Sequence, residues 1–239
     1  MQFSKIFSLT LLLATLVSCA MPRIYVDNKL KSNATEYVVE GRQNAFKKQM
    51  TVGKFAFTNV KRGWTTTSSS KLFFKKQNEA KSKLSFKMKY KGMEAETFCA
   101  AQAKKKSLVF GRVEMSDDMK DVYSGMIQLK DSSAWDFTIK NPNNINWDDP
   151  AGGFATNGTK RIEIKDVRKA EGKTPRLMPD TIFGYTFNLD NEPIAVVETV
   201  AGKGGVWIKK GLDPQTEFVV ANLAAAMLLR PDLSSIDRQ

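Results

Sequence analysis

Two glutamates are the best placed of the few side chains in this sequence that could perform catalysis. Glu94 and Glu96 are two residues apart in a segment of strand-forming residues. They therefore project from one face of a strand, with carboxylates about 5–8 Å apart. That range covers the carboxylate pairs of glycoside hydrolases. The alternative role is simpler: lysines occupy the preceding segment, and the two glutamates would be their cross-strand charge partners.

Other catalytic and metal-binding patterns are weaker. Ser68 and Lys71 have the S-x-x-K spacing of a lysine-assisted serine nucleophile, but they lie in or beside the polar run 65–70 and lack a K-T-G partner. The sequence contains no histidine, which excludes Ser-His-Asp catalysis and histidine-ligated zinc. Asp148 and Asp149 offer oxygen ligands without the order of a calcium-binding loop. We therefore expect a protein that is not an enzyme and that needs no cofactor or metal.

Cys19 directly follows an apolar segment, residues 6–17, which is too short to span a bilayer. The residues Leu16-Val17-Ser18-Cys19 resemble the lipobox of bacterial lipoprotein signal peptides. The resemblance implies that the signal peptide, residues 1–18, is removed and that Cys19 becomes a lipidated N-terminus. Ala20, in place of aspartate, implies transport to the outer membrane if the source is Gram-negative. We expect the protein to be exported and anchored there, facing the periplasm.

The remaining chain divides into a short linker and one domain. Residues 19–35 are polar and lack periodicity, so they predict a flexible tether between the lipid and the domain. Residues 36–239 contain no internal repeat or strong boundary and are interpreted as a single β-rich domain. With Cys19 lipidated, Cys99 is the remaining thiol, so no intramolecular disulfide forms. We predict that Cys99 is a small buried apolar side chain.

A lysine-rich segment is the clearest surface feature. Along residues 81–91, most odd positions are lysine and most even positions are apolar, as in a strand with one buried and one exposed face. Residues 71–112 hold twelve lysines and arginines against three glutamates, a net charge of +9. The candidate residues for binding an anionic surface are Lys81, Lys83, Lys87, Lys89, Lys91, Lys104, Lys105 and Lys106.

Anionic phospholipid, lipopolysaccharide or another acidic envelope polymer would suit these lysines, as would an envelope protein. Nucleic acid is a poor candidate because export removes it as a partner. Two structural alternatives stay open: the lysines protect an edge strand from pairing with other chains, or they keep a sheet face soluble.

Most of the domain has the pattern of short antiparallel strands. Asn157-Gly158 predicts a two-residue hairpin turn, and Asp190-Asn191 marks another turn. The predicted strands, besides the lysine-rich one, cover residues 51–58, 108–115, 122–129, 135–140, 161–165, 181–189, 194–200 and 206–209, and the Asn157-Gly158 turn is flanked by strand residues 154–156 and 159–164.

One helix is predicted over residues 214–229. Asp213 is a good N-cap, Pro214 suits the first helical position, and Pro231 prevents continuation. Residues 218–229 are apolar except for Asn222, so this helix requires burial on every side.

The C-terminal pattern resembles the end of tubby-like barrels, the superfamily that includes scramblase-like and LURP-one-related domains. The resemblance is carried by residues 194–197, 206–208 and 212–213, followed by the apolar helix. It implies a closed antiparallel β-barrel wrapped around an apolar helix. The alternative all-β folds are a lipocalin-like barrel and the half-open barrel of lipoprotein-insertion factors. The function expected is a non-enzymatic, lipid-anchored binding protein. A carrier or insertion factor for acyl chains or lipoproteins and a carboxylate-dependent envelope hydrolase are the alternatives.

Overall fold

The computed structural model describes residues 22–42, 48–72, 75–110, 113–143, 151–172, 181–200 and 204–233. Two helices and thirteen strands lie within these ranges. In chain order they are α1 (Asn28–Ser32), β1 (Ala34–Glu40), β2 (Met50–Val52), β3 (Phe55–Arg62), β4 (Thr66–Leu72), β5 (Lys75–Tyr90), β6 (Met93–Phe110), β7 (Val113–Leu129), β8 (Ala134–Lys140), β9 (Gly152–Thr156), β10 (Arg161–Val167), β11 (Gly184–Leu189), β12 (Glu192–Glu198), β13 (Gly205–Lys209) and α2 (Pro214–Leu229).

Twelve of the strands close into an antiparallel barrel. The hydrogen-bonded order is β3-β2-β1-β13-β12-β11-β10-β9-β8-β7-β6-β5, and pairing of β3 with β5 completes the ring. Strand β4 pairs with the part of β5 that extends beyond β3. Closure leaves no free edge around the ring itself. The prediction of an antiparallel β-barrel with one buried C-terminal helix is confirmed.

The barrel has two distinct ends. At the first end lie the hairpin turns 53–54, 91–92, 130–133, 157–160 and 190–191, together with the start of α2. At the second end α2 finishes and the chain connects β1 to β2, β8 to β9, β10 to β11 and β12 to β13. Beyond this second end, β4 and the adjoining parts of β5, β6 and β7 form a four-stranded extension.

Helix α2 has the predicted bounds and is buried in the barrel interior. Asp213 caps it by accepting a hydrogen bond from the backbone N–H of Thr216 at 2.9 Å. Every residue from Phe218 to Leu229 is buried. The helix contacts both β6 and β12, which lie six strands apart in the ring of twelve. Contacts on opposite walls place it across the middle of the barrel.

The buried polar groups around α2 have partners. The Asn222 side chain donates to the Phe218 carbonyl at 2.9 Å and accepts from the Thr97 hydroxyl at 3.2 Å. The Tyr123 hydroxyl donates to the Ala226 carbonyl at 3.0 Å. These bonds compensate the cost of removing the polar groups from water, so α2 can occupy an apolar interior.

We expect Leu223→Ala to lower the free energy of unfolding by about 2–5 kcal/mol, because it opens a cavity among fully buried side chains. Urea denaturation followed by circular dichroism measures the change. Gln215→Ala alters an exposed residue of the same helix and serves as the control, with an expected change below about 0.5 kcal/mol. Equal stabilities of the two variants would contradict the central position of α2.

The observed turns correct several predicted boundaries. The segments predicted as single strands over 51–58 and 108–115 each span parts of two strands, β2 with β3 and β6 with β7. The hairpin at Asn157-Gly158 uses a four-residue loop, since Thr156 pairs with Arg161, and positive φ is found at Gly158 but not at Asn157. Asp190 and Asn191 do form a two-residue turn with both φ angles positive, 52° and 63°.

The predicted tether over residues 19–35 is wrong for its described part. Residues 22–33, which we call the strap, pack along the outside of the barrel. Ile24, Val26 and Leu30 are buried there in a second apolar cluster with Trp207, Phe183, Val196 and Ala170. These three apolar residues are irregularly spaced in a polar stretch, and they bury because the outer wall of the barrel offers an apolar groove.

A buried carboxylate holds the start of the strap. The Glu198 side chain is 1% exposed and accepts from the Arg23 guanidinium at 2.9 Å and from the backbone N–H of Ile24 at 2.8 Å. Arg23 also lies over the Trp207 ring, 5.1 Å from its centroid. The pairing fixes the strap to β12 and β13 at the second end.

We expect Arg23→Ala to destabilise the protein by about 1.5–3 kcal/mol, because it leaves the Glu198 carboxylate without its charged partner. Glu198→Gln in the same chain removes that unpaired charge and should restore part of the loss. Urea unfolding of the wild type, the single variant and the double variant measures both effects. An unchanged midpoint in Arg23→Ala would show that the strap is not held by this pair.

Candidate anionic-surface site

The lysine-rich segment forms part of strand β5, with the predicted alternation of faces. Leu84, Phe86 and Met88 are buried toward the barrel core. The intervening odd-numbered residues point outward, and Lys81, Lys87 and Lys89 are each between 46% and 70% exposed in their side chains. The barrel therefore presents a lysine-bearing outer wall because the even-numbered side chains must fill its interior.

Strand β5 is not an edge strand. It pairs with β6 along its whole length, and on its other side with β4 and then β3. Edge protection, one of the structural alternatives for the lysines, is therefore wrong for β5. The lysines need another explanation, either in solubility or in binding.

The lysines nearest the first end are neutralised by the two glutamates. Lys87 pairs in register with Glu96 and Lys89 with Glu94, and the ion pairs measure 3.3 Å and 2.9 Å. Lys130 adds a contact to Glu94 at 3.8 Å. The hydrogen bond from Lys89 and the charge of Lys130 lower the pKa of Glu94. Because each glutamate forms an ion pair with the lysine opposite it, the structure favours the charge-partner role for both.

The lysines nearer the second end have less compensation. Lys81 contacts Glu79 at 3.0 Å. Lys104 lies between Glu79 on β5 and Lys120 on β7, so it has one opposite and one like charge beside it. Lys83 aligns with Ala100, and within the described ranges no acidic side chain contacts it. Toward the second end, Glu79 is thus shared by Lys81 and Lys104, and positive charge is in excess.

Two of the predicted residues, Lys91 and Lys105, do not lie on the outward face near the second end. Lys91 is in the turn after β5, where its ammonium is 5.4 Å from the centroid of the Tyr90 ring. Lys105 pairs in register with the buried Asn78, so it belongs to the inward-facing row, whereas Lys106 is exposed. The structure brings together Lys81, Lys83, Lys104 and Lys106 on the outward face near the second end.

Exposed apolar side chains accompany these lysines, and the sequence analysis did not identify them. Phe98 is 45% exposed on the outer wall beside Lys83, and Val122 is 36% exposed in the row that contains Gln102 and Lys81. Trp64 is 93% exposed in the short connection between β3 and β4. The signal in the sequence was weak: Trp64 directly follows a glycine and precedes a threonine- and serine-rich run.

The remaining sequence candidates are not assembled into a site. Ser68 lies in strand β4, so it does not begin a helix as the S-x-x-K arrangement requires. Cys19, Asp148 and Asp149 lie outside the described residues. In the portion of the chain that the structure describes, no group of three or more acidic or cysteine side chains could hold a metal ion. No helix in that portion is long and apolar enough to cross a bilayer.

A cleft of about 500 Å³ opens at the first end. Met93, Leu129 and Phe218 form its apolar lining, and Glu94 and Lys130 stand at its polar side. Both charged residues are engaged in the ion pairs described above. Asp131, also in the lining, accepts hydrogen bonds from the Ser133 backbone N–H at 2.9 Å and from the Ser133 hydroxyl at 2.6 Å. The cleft therefore lies over the start of α2, and each charged group of its described lining has a polar partner.

Cys99 lies on β6 with its side chain buried, as predicted. Burial raises the pKa of its thiol to about 12, although a hydrogen bond with Tyr123 acts in the opposite direction. The reactive thiolate is therefore scarce at neutral pH.

We expect the Cys99 thiol of a Cys19→Ser chain to react with a disulfide reagent at pH 8 at least about a thousandfold more slowly in the folded than in the unfolded protein. The measurement is release of the coloured thiolate with and without urea. A comparable rate in the folded state would contradict the burial of Cys99.

Comparisons with known proteins provide no relative for this chain: no family model, curated protein or solved structure matches it. The fold and the lysine-bearing wall must therefore support any functional conclusion by themselves.

Proposed function

We propose that this protein is a non-enzymatic, lipid-anchored lipoprotein of the outer membrane, facing the periplasm, whose barrel binds an anionic envelope component. The lipobox-like residues before Cys19 support the anchor and the location. The binding surface is the outward face near the second end, where Lys81, Lys83, Lys104 and Lys106 lie together.

The excess positive charge around Lys83 is the observation that carries this proposal. Lys87 and Lys89 each have a glutamate of their own, whereas toward the second end Lys83 aligns with alanine and Glu79 is shared by Lys81 and Lys104. Like charges held on adjacent strands repel each other, and an anionic ligand relieves that repulsion. Phe98 beside them adds an apolar surface of the kind that membrane-interface proteins expose.

Within this proposal we assign the domain to the tubby-like class of barrels. A closed ring of twelve antiparallel strands and a buried C-terminal helix support that assignment. They favour it over a lipocalin-like barrel, whose interior holds a ligand. Because α2 occupies the interior, a carrier of acyl chains has less support. The ion-paired state of Glu94 and Glu96 likewise disfavours the hydrolase alternative.

Vesicle co-sedimentation tests the binding function. We expect residues 19–239 with Cys19→Ser to bind vesicles containing about 30% anionic lipid at low salt, and to bind neutral vesicles weakly. Lys83→Gln with Lys104→Gln should reduce binding to the anionic vesicles about ten- to thirtyfold, because each lysine near a charged membrane contributes appreciably to affinity.

Lys87→Gln with Lys89→Gln is the matched control, because it removes the same charge from two lysines that have glutamate partners. Its binding should fall less than about threefold. Equal losses in the two double variants would indicate a response to net charge alone. Equal binding of the parent chain to neutral and anionic vesicles would contradict the proposed function.

A further inference from the structure

We propose that the second end of the barrel lies against the bilayer that carries the protein's own lipid anchor, with Trp64 in the membrane interface and the lysines of the extension against anionic headgroups. This inference rests on the proposed lipidation of Cys19. Beyond the proposed function, it specifies which membrane surface is bound, which residues contact it and how the barrel is oriented.

The strap leaves only a short connection between the lipid and the barrel. Arg23 is held by Glu198, and its carbonyl accepts a hydrogen bond from the backbone N–H of Glu171 at 2.8 Å. Four residue steps separate Cys19 from Arg23, which corresponds to at most about 14 Å of extended chain. A tether reaching residue 35 would span up to about 55 Å. The second end must therefore stay close to the bilayer.

Trp64 provides a second contact at the same end. Strand β3 starts beside the turn 53–54 at the first end and runs to Arg62 at the second end, so Trp64 lies at the second end. The backbone N–H of the preceding glycine donates to the Lys83 carbonyl at 2.8 Å, which holds this connection against β5. A tryptophan that is 93% exposed is costly in water and favourable at the membrane interface.

The positions of these contacts around the barrel determine its orientation. Arg23 is fixed to Glu198 of β12, whereas Trp64 follows β3, and three strands of the ring lie between β12 and β3. Both contacts lie on one rim, so this rim, and not the first end, is the part of the barrel nearest the bilayer.

The extension supplies the electrostatic part of the contact. It continues past the rim for about 30 Å, given the nine residues of β5 beyond Leu84, which is more than the connection from Cys19 to Arg23 can span. The extension therefore lies along the bilayer surface, with its outward face toward the headgroups. On its outward face Lys104 and Lys120 face each other, and Lys106 is exposed one row further on. Anionic headgroups attract such lysines within a Debye length of the surface. The basic extension, the short connection and Trp64 therefore all lie on the side facing the anchor.

Quenching of tryptophan fluorescence by brominated lipids tests the orientation. The full lipidated protein is reconstituted into vesicles containing about 30% anionic lipid, with bromine near the headgroup end of the acyl chain. Every variant carries Trp147→Phe, because Trp147 lies in the connection between β8 and β9; of the other tryptophans, Trp135 and Trp207 are only 2% and 5% exposed. We expect strong quenching and a blue-shifted emission in this parent chain, and loss of most of that quenching when Trp64→Phe is added.

A reporter at the first end is the matched control. Lys160→Trp in the Trp64→Phe chain places an exposed tryptophan in the turn 157–160. This tryptophan should remain unquenched. Quenching equal to that of Trp64, or absence of quenching at Trp64 in vesicle-bound protein, overturns the proposed orientation.

Lengthening the connection tests the role of the strap. About twelve glycine and serine residues inserted between Met21 and Pro22 should at least halve the Trp64 quenching, because the local concentration of the barrel at the bilayer falls. Unchanged quenching overturns the role of the short connection. Failure of the proposed anchor itself is distinguishable: the protein then carries no acyl groups by mass spectrometry and does not enter the vesicles.

Discussion

The burial of α2 inside the barrel is the interaction on which the rest of the structure depends. Twelve strands enclose a space wider than their own inward side chains fill, and an apolar helix occupies it while its backbone groups bond within the helix. The sequence supports this arrangement at both helix ends. Asp213 caps the start, and the Arg42 side chain donates to the Leu228 carbonyl at 2.9 Å near the finish. Because the interior is filled, a ligand can bind only on the outer surface.

The lysine-bearing wall is partly a consequence of this closure. Because β5 must send Leu84, Phe86 and Met88 inward, its alternate residues are free to carry charge. The two ends of the strand then differ in how far glutamates neutralise that charge. Glutamates on β6 neutralise the lysines near the first end, and the acidic partners become sparse toward the second. This asymmetry distinguishes a surface suited to binding from one that is only soluble.

Local signals account for what could be predicted from the sequence. The helix was predictable at both boundaries because an N-cap, a proline and an apolar run act within a few residues of each other. The burial of Ile24 and Leu30 was not predictable, since it depends on a groove formed by β12 and β13, which are far along the chain. Trp64 was missed for a related reason: exposure of a single ring is decided by which strands surround it. The length of β5, β6 and β7 was also not predictable, because the alanines, serines and lysines in these strands are common in loops too.

The position of α2 in the chain has a consequence for how the protein is made. The element that fills the barrel is synthesised after all thirteen strands, so the strands emerge before their common core exists. Pairing of β3 with β5 and of β1 with β13 also joins distant parts of the chain, which slows folding. Apolar strand faces must therefore be protected until synthesis ends, and a chain that stops short of residue 214 has no means of completing the fold.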